Sequence, residues 1–184
     1  MKNIPALDPK VLDLVTEISK EPKVEAAMAF IKDQTEVAMQ EQIELCEIEA
    51  PTFHEEKRAA SVAERMKQYG LTDVHIDEIG NVIGIRKGTG NGPVLAIGAH
   101  MDSVFPAGTD VKVKKEGNIY RAPGIGDNCS GLRALLQVLR AMEKEDIRTV
   151  GDIWFVGTVG EEGNGDIRGS KHLCANNKLD GFVA

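Results

Sequence analysis

Three short segments hold the residues whose types and spacing could do chemistry. The first is Ala99-His100-Met101-Asp102-Ser103-Val104, directly after an apolar run. In extended backbone residues two apart point the same way, so His100 and Asp102 share a face. A carboxylate behind a histidine can orient the ring and raise its basicity, as carboxylates do for metal-binding histidines. The second is Gly124-Ile125-Gly126-Asp127-Asn128-Cys129-Ser130-Gly131, where glycines let backbone and one acid approach an ion closely. Asp127 or Asn128 could equally cap the helix that follows. The third is Gly160-Glu161-Glu162-Gly163, after another apolar run. Adjacent carboxylates are costly unless a cation or shared proton relieves them, and two acids can divide the labour of metal ligand and general base. Alone, each segment has an ordinary reading as a surface turn or cap. Together they supply histidine and carboxylates, which are donors that zinc accepts.

The elements that would position these groups alternate between helix and strand. Pro9 to about Glu47 reads as helix broken near Pro22, with Met28, Ile31, Thr35, Ala38, Met39, Ile43 and Cys46 at helical spacing. Thr52-Phe53-His54-Glu55 has the form of a capping box, predicting a helix to about Tyr69 that Gly70 stops. Strands are expected from Val74, over Asn81–Arg86, Val94–Ala99 and Ile153–Val159, with a hairpin about Glu116-Gly117-Asn118 and a last strand beginning at Gly181. Ser130 to about Lys144 reads as an amphipathic helix with Leu132, Leu135, Leu136 and Leu139 on one side, and a short helix is expected around Gly169–Ala175. The pattern predicts an α/β fold, a three-layer sandwich with a mostly parallel central sheet and helices on both faces. Ligands in such a sheet gather beyond the C-terminal strand ends, where all three segments fall. The expected division is a helical segment over 1–48 packing on a catalytic portion over 49–184.

Composition narrows the class. The chain has 184 residues, 42% hydrophobic and 28% charged, with net charge −7, so a basic nucleic-acid-binding face is not expected. Three cysteines with no CxxC pair indicate neither a disulfide framework nor a zinc finger, and suggest a reducing compartment. The N-terminus shows no signal-peptide pattern and no run reaches membrane-spanning length, so a cytoplasmic protein is expected.

In order and context, GAHMDSV, GIGDNCSG and GTVGEEGNGDIRGSKHL resemble the zinc exopeptidase and deacylase family that includes peptidase T, carboxypeptidase G, aminoacylase, acetylornithine deacetylase and succinyl-diaminopimelate desuccinylase. The resemblance runs from about Ile43 to the last residue. It implies a di-zinc metallohydrolase cleaving peptide or N-acyl amide bonds through a metal-bridging hydroxide. His100 would bind one zinc (cobalt or manganese being possible replacements), Glu162 the other, and Asp127 would bridge. Asp102 would stand behind His100 and Glu161 would be the general base. The family's remaining carboxylate and histidine ligands, and the lid domain through which homodimers can form, have no match here. This chain is therefore expected to be the N-terminal part of the catalytic domain, inactive by itself. Small peptides or N-acyl amino acids are the expected substrates. Two rival readings are a non-catalytic binding domain on the same scaffold and a cysteine hydrolase using Cys129.

Overall fold

The computed structural model describes residues 8–184. Helices α1 (Pro9–Ile18), α2 (Pro22–Asp33) and α3 (Thr35–Cys46) come first. Proline starts α1 and α2, where the missing N–H costs nothing. The break at Gln34 has no glycine or proline to announce it, and the sequence reading ran through it. Of the residues at helical spacing in this segment, Met28 is 62% exposed, whereas Ala38 and Cys46 are buried. Helix α4 (Glu56–Gln68) ends at Gly70, whose φ of 101° suits glycine, while Leu71 N–H returns to the Met66 carbonyl.

The central sheet contains β1 (Asp73–Ile76), β2 (Val82–Arg86), β3 (Leu95–His100), β6 (Ile153–Thr158) and β7 (Gly181–Val183), in the order β1-β2-β6-β3-β7. A separate hairpin pairs β4 (Lys114–Glu116) with β5 (Ile119–Arg121). The α/β architecture stands, but the sheet is mixed rather than mostly parallel. β1 and β2 pair antiparallel, and so do β2 and β6. Only β6, β3 and β7 run parallel. Those include the two strands whose C-terminal ends lead into the histidine and glutamate segments.

Both faces of the sheet are covered. On one face Val82, Ala99 and Phe155 meet Val62 and Met66 of α4 and Leu132, Leu136 and Leu139 of α5 (Cys129–Lys144). The α5 leucines recur at three- and four-residue steps and form its buried stripe. On the other face Ile83, Ala96 and Val156 pack with Leu173 of α6 (Arg168–Asn176). α2 and α3 lie against α5, and α1 buries no residue.

Arg58 on α4 is fully buried and ties the helical layer to the site strand. Its guanidinium donates to the carbonyls of Leu45 (3.1 Å), Cys46 (3.5 Å) and Ile48 (2.5 Å), and to Met101 (2.6 Å), between His100 and Asp102. Arg58→Met should leave these carbonyls without their charged donor, lowering unfolding stability by about 3 kcal/mol or more in a urea titration. A loss within about 0.5 kcal/mol, the usual range for surface changes, would show that the clamp is redundant.

Candidate metal centre

Strand β3 ends at His100, and the chain turns inward to place Asp102 with no exposed surface. The Asp102 carboxylate is a hub. Its Oδ1 accepts the Glu161 N–H (2.9 Å), and its Oδ2 accepts the Glu162 N–H (3.0 Å) and the Thr52 hydroxyl (2.8 Å). Oδ1 also lies 3.4 Å from His100 Nδ1. Burial alone would raise the Asp102 pKa, but the contact with His100 and the three donors outweigh it and hold the carboxyl well below the usual range.

With Nδ1 3.2 Å from the Asp102 backbone carbonyl, its hydrogen-bond partner, and close to the carboxylate as well, the other ring nitrogen faces the acids. His100 Nε2 is 2.9 Å from Asp127 Oδ1 and 3.9 Å from Glu161 Oε2. Burial would depress the imidazole, yet Asp102, Glu161 and Asp127 together push its pKa up to about 9. Burial and the neighbouring Asp127 raise Glu162, only partly relieved by His100. The pocket therefore holds more negative charge than its own residues balance, which is what a divalent cation would relieve.

His100, Asp127 and Glu162 each offer a ligand atom, all within 4.8 Å of one another. A histidine nitrogen and two carboxylate oxygens are a donor set that suits zinc and, less selectively, cobalt or manganese. The sequence-predicted residues His100, Asp102, Asp127, Glu161 and Glu162 thus come together. At the head of α5, Asn128 takes the capping role by accepting the Gly131 N–H (3.0 Å), which leaves Asp127 facing His100. Asp166 pairs with Lys171, Asp180 accepts the Val94 N–H, and His172 sits 3.0 Å from Glu78; none of them joins the cluster. Cys129 lies wholly inside the core, so its thiol has no route to a substrate. That removes the geometry a cysteine hydrolase would need.

The sequence reading missed three supporting residues. Thr52 and Glu55 fit the capping-box pattern, yet neither side chain caps α4. Thr52 bonds Asp102, as above. Glu55, almost fully buried, accepts the Gly160 N–H (2.9 Å) and pairs with the Arg168 guanidinium (2.9 and 3.0 Å). Three successive amides, those of Gly160, Glu161 and Glu162, are therefore held by two buried carboxylates. Gly160 has a φ of 59°, which glycine adopts without strain, and a β-carbon there would sit 2.5 Å from Arg168 Nε, so a side chain would have to displace the arginine that Glu55 holds. An apolar-periodic helix start gave no sign of these long-range roles.

Residues 96–184 match Peptidase family M20/M25/M40. A Pyrococcus abyssi protein named as a LysW-lysine/LysW-ornithine hydrolase is 35% identical over 120 residues, 65% of this chain and 32% of that protein. The crystal structure of a tripeptidase from Staphylococcus aureus subsp. aureus Mu50 is 31% identical with a TM-score of 0.65, over 79% of this chain and 42% of that one. Aminopeptidase PepT from Bacillus cereus ATCC 10987, at 24% identity and a TM-score of 0.67, shares the fold over 80% of this chain and 42% of its own. The chain spans about a third of the length of the curated relatives it matches. Motif order, sheet topology and these likenesses agree in relating the chain to peptidase family M20/M25/M40, whose model matches residues 96–184.

Proposed function

We propose that the full protein hydrolyses peptide or N-acyl amide bonds as a two-zinc exopeptidase or deacylase, and that this chain carries the first half of its metal centre. The observation that supports this most is the convergence of His100, Asp127 and Glu162 within 4.8 Å, with Asp102 fixing the ring from behind. In this reading His100 Nε2, Asp127 and Glu162 are the residues that would hold the metal, with Asp127 placed between the other two. When bound, the ions supply an acidified water and a polarised carbonyl. Glu161, half-exposed and tethered by its own N–H, takes the proton and returns it to the leaving amine. Asp102 touches no substrate and acts by orienting His100 and the glutamate loop.

Among the described residues no helix is long and apolar enough to cross a membrane. The unpaired thiols of Cys46, Cys129 and Cys174 support a cytoplasmic location. The proposal is tested by screening the metal-stripped full-length protein against dipeptides, tripeptides and N-acyl amino acids, with and without added zinc. Zinc-dependent cleavage that a chelator abolishes is the expected result. A protein that takes up zinc yet cleaves none of them would be a binding domain on this scaffold.

A further inference from the structure

We infer that the cavity between Phe53 and the Val104–Pro106 segment is the subsite for a large apolar side chain of the substrate, aliphatic or aromatic, next to the bond that is cut. This rests on the hydrolase reading above and specifies its substrate class. The cavity, about 330 Å³, has Glu162 in its wall, so whatever fills it adjoins the metal centre. Its other walls are apolar at Pro51, Phe53, Val104, Phe105 and Pro106, with the neutral polar side chains of Thr52, Ser103 and Asn164 between them. Among the described residues no lysine or arginine lines it, and the one charged residue that does, Glu162, is committed to metal in this reading. An ammonium or carboxylate entering it would exchange water for at most neutral partners such as Ser103 and Asn164, with no opposite charge free to pair it, whereas a leucine or phenylalanine side chain would lose nothing polar and bury apolar surface.

The walls are built into the site. Thr52, beside Phe53, bonds Asp102; Ser103 N–H donates to the Ala50 carbonyl (2.9 Å), and Pro51 and Ser103 form a parallel bridge. Both apolar segments are thus fixed on either side of Asp102. Phe53 has a φ of 75°, a costly conformation for a bulky residue, and its ring lies 5.1 Å from the Arg168 guanidinium that Glu55 holds. Val104, Phe53 and Phe105 are 64%, 50% and 37% exposed, three large apolar side chains grouped at the rim of a charged centre. Strain and exposure of this kind mark functional surface.

The test uses zinc-loaded full-length protein and amide substrates that differ in one residue, glycine, leucine, phenylalanine, lysine or aspartate, placed on either side of the scissile bond. At one of the two positions leucine and phenylalanine should exceed glycine, lysine and aspartate by about tenfold or more in kcat/KM. Val104→Ser and Phe105→Ser should each lower the leucine-to-glycine ratio severalfold. Val150→Ser, exposed at the opposite end of the strands, should leave it unchanged. The ratio is blind to the fraction of enzyme that folds, so a merely structural role would not move it. A ratio near one at both positions overturns the subsite. So does an unchanged ratio in Val104→Ser and Phe105→Ser with a lowered melting temperature, the outcome if another part of the protein covers this rim. If no amide is cleaved, the hydrolase reading fails instead, and the subsite is read from binding to the metal-free protein. There N-acetyl-leucinamide should bind more tightly than N-acetyl-glycinamide, and equal binding would end the proposal.

Discussion

Glu161→Gln in the zinc-loaded full-length protein should lower kcat by about 10² to 10⁴-fold, the range that a positioned general base contributes. Zinc content should be unaffected. The glutamine keeps the shape of the side chain and its backbone N–H keeps the bond to Asp102, so the loop stays where it is. What is lost is the ability to accept a proton at a point 3.9 Å from His100 Nε2. Glu162→Gln, one residue on, should instead weaken metal uptake, because Glu162 is the residue of the pair that belongs to the ligand cluster. Parallel measurements of kcat and bound zinc separate the two roles. Near-native turnover in Glu161→Gln would place the base elsewhere.

Asp102→Asn should lower both zinc affinity and turnover by about 10 to 100-fold, the usual cost of removing a group that orients a metal ligand. The substitution is nearly isosteric, so its effect comes from hydrogen bonding. Asp102 accepts two backbone N–H groups and a hydroxyl on two oxygens. Asparagine offers one oxygen, and its amide nitrogen must face the Glu161 or the Glu162 N–H, donor against donor. An orphaned buried donor costs about 1 to 3 kcal/mol, so the glutamate loop shifts or the melting temperature falls. His100 loses the negative charge beside Nδ1 as well. Thr52→Val removes only the hydroxyl contact and should have the milder effect on both readouts. Native zinc affinity in Asp102→Asn would show that the carboxylate is dispensable for orienting the ring.

The strands and helices that position the centre were legible because each is buried on a definite pattern. β3 and β6 read as short apolar runs because side chains on both faces of the sheet are covered, and α5 reads as a helix because its leucines face one layer. His100, Asp127 and the glutamate pair were legible because they stand at the ends of those elements. The antiparallel pairing of β2 with β6 was not, since it joins residues some 70 positions apart and no local pattern encodes it. Thr52 and Glu55 were misread for a related reason. A threonine and a glutamate three apart satisfy the capping-box spacing whether their partners are in the next turn or across the molecule. Here the partners are Asp102 and Gly160, brought close only by the fold. Asn128 shows the opposite case, a cap recognised among two candidates, which the structure assigns to one and so frees the other.

The central claim is that His100, Asp127 and Glu162 hold divalent metal, with Asp127 shared between two ions. Zinc stoichiometry of the full-length protein after stripping, reloading and dialysis tests it most directly. The account predicts two zinc ions per chain in the unmodified protein and loss of both in Asp127→Ala, because each ion loses the ligand it shares with the other. Two ions retained in Asp127→Ala would contradict it, placing the metal on residues outside this cluster.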